Sequence, residues 1–114
     1  MKTASLTQQI EYHDTKPSIQ VLLETESGKE IRIVFKKDQV MKKHKTPFPI
    51  VVEVFEGQIN FGVNELNYTL SKGDLVALEG NVPHDLMALE DSIVRLSLSK
   101  ADSAQRVKDV ADRS

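Results

Sequence analysis

Two histidines forty positions apart, His44 and His84, are the residues of this 114-residue chain best equipped for chemistry. Imidazole titrates near neutrality, ligates transition metals and moves protons, so two that converge make a candidate site. His44 opens the stretch HKTPFPIVVEVFEG, and His84 closes GDLVALEGNVPH. The third histidine, His13 in EYHDTKP, precedes Pro17 in a loop-like stretch and reads as a surface residue. The chain has no cysteine, which excludes disulfides, thiolate zinc sites and a cysteine nucleophile. No serine-histidine-acid constellation and no phosphate-cradling glycine loop is present.

The elements that must position these imidazoles are short strands. SIQVLLET (18–25) and EIRIVF (30–35) flank a hairpin turn at Ser27-Gly28. In the second run Ile31, Ile33 and Phe35 alternate with Glu30, Arg32 and Val34, the period of a half-buried strand. VVEVFEG, QINFGV, LNYTL, LVALEG, HDLMAL and SIVRLSLS continue the pattern, with turns at Asn64-Glu65, at 71–74 and at Glu90-Asp91. Gly57, Gly62 and Gly73 read as turn or bulge residues. Only the tail has helical spacing: Ala104, Val107, Val110 and Ala111 recur on one face over about 102–112, with Asp102 or Ser103 as N-cap. That pattern predicts a short helix docked on the outside of the barrel or on a partner subunit. Many short strands with frequent turns suggest an all-β sandwich or barrel, which must hide its sheet edges. Lys36, Lys37, Lys42, Lys43 and Lys45 form either a charged edge that blocks aggregation or a positive rim for anions.

Composition is that of one globular domain, with 39% hydrophobic and 28% charged residues. Net charge is -2, against the strongly basic face that nucleic-acid binding requires. No apolar run reaches signal-peptide or membrane-spanning length, so a cytoplasmic protein without membrane partners is expected.

The stretch from about Lys37 to Leu98 resembles the conserved barrel of the cupin superfamily. The second cupin motif is the better match: Gly73-Asp74, an apolar strand, Gly80 in a turn, then Pro83-His84. In the first motif His44 fits the first histidine and Gly57 the closing glycine. The resemblance implies a double-stranded β-helix, or jelly-roll barrel, over about 18–99. It also implies a homodimer in which a strand at about 3–12 crosses to the partner. Metal-holding cupins use two histidines and a glutamate of the first motif and the histidine of the second. Here the second histidine position is Thr46 and the glutamate position is Ile50.

A divalent transition metal needs three or more nitrogen or oxygen donors in fixed geometry. His44 and His84 remain as metal ligands, so the site holds either no metal or a weakly bound zinc, nickel, iron or manganese. Glu53 offers no rescue: if Ile50, Val52 and Val54 face inward, alternation turns it out. Asp85 points away from His84 for the same reason, and Glu79 reaches the mouth only if its turn folds back. The expected pocket is therefore apolar, walled by Ile50, Val52 and Leu86, with His44, His84 and Thr46 as polar groups and Phe48 at the entrance. Three functions follow. The first is a small-molecule-binding cupin without robust catalysis. The second is a metal-dependent isomerase, epimerase or dioxygenase with an unusual ligand set. The third is a structural or interaction module.

Overall fold

The computed structural model describes residues 1–114. Nine strands precede one helix: β1 Ser18–Glu24, β2 Gly28–Phe35, β3 Val40–His44, β4 Ile50–Glu56, β5 Gln58–Val63, β6 Leu66–Ser71, β7 Leu75–Leu78, β8 His84–Ala88, β9 Ser92–Ser99 and α1 Ala104–Arg113. They form two antiparallel sheets, β1-β2-β9-β4-β7 and β3-β8-β5-β6. Alternation decides which residues meet between the sheets. Ile31, Ile33 and Phe35 of β2, Ile50, Val52 and Val54 of β4, Val94, Leu96 and Leu98 of β9, and Ile59 and Phe61 of β5 share one apolar core. This is the all-β, two-sheet barrel with a C-terminal helix that the strand pattern and the resemblance imply.

Turn chemistry closes the hairpins. Asn64 and Glu65 both have positive φ, +52° and +64°, the two left-handed residues of a tight hairpin whose twist matches its strands. Gly57, at φ +89° between β4 and β5, is required twice over: a Cβ there would collide with the Ser92 hydroxyl and the Asp91 carbonyl. On the edge strand β3, Lys42 and Lys43 are exposed, so the charged-edge account of the lysines fits their placement.

Two expectations are corrected by the terminal segments. No strand forms at 3–12. That segment curls over the outer face of β1 and β2, where the carbonyls of Ser5, Leu6, Gln8 and Gln9 all accept from the Arg32 guanidinium, at 2.9–3.4 Å. Carbonyls that converge on one cation cannot alternate outward as strand carbonyls do. Arg32 and Val34, on the solvent-facing side by alternation, are consequently each only 2% exposed. The helix does not lie on the outside of the barrel. Val107 and Val110 join the core itself, and α1 closes one end of the space between the sheets.

Candidate functional site

His44 ends β3 and His84 begins β8, and the two are direct partners in the ladder of these strands. An irregularity in β3 between Met41 and His44 brings them opposite. Their ring centroids are 4.3 Å apart with planes tilted by 59°. Phe61 of β5 lies nearly parallel to the other side of His84, 5.8 Å away. His84 is buried and His44 half-buried.

The backbone fixes how both rings carry their protons. Nδ1 of His44 lies 2.6 Å from the Lys42 carbonyl oxygen, and Nδ1 of His84 lies 2.9 Å from that of Val82. A carbonyl only accepts, so each Nδ1 must donate, and each neutral ring keeps its lone pair on Nε2. Burial pushes His44 down to about 4. The bond to the Lys42 carbonyl and the Asp85 charge oppose that shift, whereas His84 and the Arg106 cation add to it. His84 is lowered too, first by burial and then by Arg106, against its Val82 bond and Asp85. Near pH 7 the site therefore presents two neutral imidazoles with acceptor nitrogens.

Around them is a small apolar chamber of about 20 Å³. Its strand walls are Ile33, Met41, Ile50, Val52, Leu86, Val94 and Leu96, and its remaining wall is Arg106 and Val107 of α1. The expected lining residues His44, Ile50, Val52, His84 and Leu86 all meet here. Thr46 and Phe48 do not, which corrects the expected pocket. Thr46 is buried, but its hydroxyl donates to Asp102 Oδ2 at 2.8 Å. Phe48 follows in the same loop, half-buried, its amide 3.4 Å from that hydroxyl. The bond to Asp102 turns this loop toward the start of α1 rather than into the chamber.

Asp102 and Arg106 are the polar pair that strand reasoning missed. Arg106 Nε and Nη2 bond both Asp102 oxygens, at 2.8 and 3.0 Å, and the Ser103 amide donates to Asp102 at 2.7 Å. Burial alone would raise the Asp102 carboxyl, but the bonds from Arg106, the Ser103 amide and Thr46 outweigh it and hold it below the usual range. Ser103 caps the helix by accepting from the Arg106 amide. The spacing of four between Asp102 and Arg106 was the available signal, being the separation at which side chains meet along a helix.

The donor set does not fit a tightly held metal. No group of three or more His, Cys, Asp or Glu residues converges anywhere in the chain. Ile50 contributes hydrocarbon, and the Thr46 hydroxyl is spent on Asp102. Asp85 packs against Gly62 on the far face of its sheet, Glu53 pairs with Arg95 outside, and Glu79 is exposed. Two imidazoles alone leave a divalent ion short of the ligands it needs.

Two antiparallel sheets of this strand order form a cupin-type double-stranded β-helix. The fold is shared with a RmlC-like cupin from Desulfovibrio desulfuricans, at a TM-score of 0.80 and 20% identity over 87% of this chain and 96% of that one. It is shared with an uncharacterized conserved protein with a double-stranded β-helix domain from Klebsiella pneumoniae, at 0.79 and 18% over 90% and 94%. A RmlC-like cupin from Shewanella frigidimarina follows at 0.76 and 22%, over 90% and 95%. No protein-family model and no curated protein matches the chain. At these identities the likeness establishes the fold and leaves the chemistry to the residues.

Proposed function

We propose that this chain is a small-molecule-binding cupin whose ligand enters the chamber beside His44 and His84, without robust catalysis. The observation that carries the reading is the pair of neutral imidazoles, both held by backbone carbonyls with Nε2 as acceptor, at the end of an apolar chamber. A few oriented polar groups on hydrophobic walls are what a small-molecule site requires. A metal, if bound, is bound weakly, because only two ligands are in place. A cytoplasmic homodimer is part of the same proposal: Val51 and Leu75 are exposed on β4 and β7, apolar side chains that an isologous interface would cover.

The test is binding to the purified full chain. A library of small neutral and acidic compounds is screened by shift in melting temperature, and hits are repeated on His84→Ala and His44→Ala. The proposal expects a hit whose shift is lost in both variants. A stoichiometric metal that co-purifies and disappears in His84→Ala would replace this reading with a metal-dependent one. Light scattering that gives a monomer at micromolar concentration removes the dimer.

A further inference from the structure

A chamber of about 20 Å³ admits one water and no organic ligand, so binding requires one of its walls to move. Nine of the lining residues stand on β2, β3, β4, β8 and β9, and all of these strands are held in sheet ladders. The other wall differs in kind. Arg106 and Val107 belong to α1, which shares no ladder with the barrel. It is fastened at its two ends. At the start, Asp102 receives the Thr46 hydroxyl, and its carbonyl accepts from Lys29 Nζ at 2.7 Å. At the end, the Lys42 amide donates to the Ser114 hydroxyl at 2.8 Å, and Lys16 pairs with Asp112. Between these fastenings the seal is the burial of Val107, Val110 and Ala111, with Ala104 half-buried against the core.

We infer that α1 is a removable plug of the ligand chamber, latched by the Thr46–Asp102–Arg106 cluster, and that what displaces it is an apolar molecule. The inference rests on the proposed binding function and adds how the site is gated and which class of ligand it takes. Lifting α1 breaks no strand pairing. It withdraws Val107, which is 1% exposed, from the end of the chamber and leaves apolar walls beside the two imidazoles. Local opening of this kind occurs where an element contributes few of the buried contacts and none of the ladder bonds. The walls set the class. Arg106, the one permanently charged lining residue, is paired with Asp102 and leaves with α1, so what remains is hydrocarbon and two imidazoles. A mainly apolar ligand suits such walls.

Hydrogen exchange on the full chain, combined with an apolar anionic dye, 1-anilinonaphthalene-8-sulfonate, tests this. Amides of 104–113 should exchange about 100-fold faster than those of β2 and β9, as a sub-globally opening unit does. Asp102→Asn should raise α1 exchange and dye affinity together, each about tenfold, for a latch worth the 1.4 kcal/mol that corresponds to tenfold. Methyl shifts at Met41, Ile50 and Leu86 should place the dye in the chamber. Thr46→Val should act in the same direction more weakly, which keeps the test valid if Asp102→Asn unfolds. The plug is overturned if α1 exchanges at the rate of β2 and β9, or if the dye reaches those methyls while α1 stays protected. If α1 opens but neither the dye nor any library compound shifts those methyls, the plug stands and the binding function falls.

Discussion

The barrel carries two polar clamps, each holding a terminal segment, and they are built on opposite principles. On the outer face Arg32 grips the first residues of the chain with one cation and neutral acceptors: four backbone carbonyls and Gln20 Oε1. It has no carboxylate partner, and its buried Nε has no partner at all. At the barrel end Asp102 holds α1 with a carboxylate that both meets a cation, Arg106, and accepts from Thr46 and the Ser103 amide. A buried charge satisfied only by dipoles depends on every one of them. A charge met by its opposite depends on each less. The Arg32 clamp is accordingly the more vulnerable, and the Asp102 clamp the one suited to opening.

Breaking the outer clamp should have the largest effect. Arg32→Ala removes five bonds and the packing of the side-chain stem, and should cost about 3–4 kcal/mol by urea denaturation. Exchange should accelerate at 5–9 and remain unchanged in α1. An equal acceleration in both segments would show that the clamps are one unit.

Acid should act next, chiefly at the barrel end. Unfolded His44 takes up a proton near pH 6.5, whereas folded His44 refuses it until about pH 4. Between those values the unfolded state binds more protons, so the His44 contribution to stability falls as pH drops through that window and levels off below it. After discounting for partial exposure, His44 should account for about 2–3 kcal/mol of that loss, with His84 adding in the same direction. Urea melts of wild type and His44→Leu from pH 7 to pH 4 should differ in slope. Parallel curves would remove the buried neutral imidazole.

Asp102→Ala should cost about 2 kcal/mol, because it leaves the Thr46 hydroxyl buried and Arg106 without its partner. Ser103→Ala, which removes only the cap, should cost about 1 kcal/mol. Both losses should appear in α1 exchange before they appear in the barrel. Should Ser103→Ala exceed Asp102→Ala, the latch lies in the helix cap and the comparison must be redrawn.

Much of this was legible residue by residue. Alternation in EIRIVF and SIVRLSLS assigned the inner faces of β2 and β9 correctly, because a strand's period of two leaves one choice once a hydrophobic set is seen. The same alternation put Arg32 and Val34 on the face opposite Ile31, Ile33 and Phe35, where they lie. What it could not show is that residues 5–9 return to cover that face. The stripe Val107, Val110, Ala111 announced a helix with one buried side, yet nothing in its spacing said which surface would receive it.

The chain alone determined the strands and their inner faces, since side-chain period follows from local pattern, and the resemblance to the cupin barrel implied the meeting of His44 with His84. Tertiary structure decided that Thr46 turns to Asp102, that α1 stops the mouth, and that the chamber is nearly filled. Those outcomes hinge on contacts between segments far apart along the polypeptide. Periodicity names the face a side chain takes but never the element that comes to lie against it.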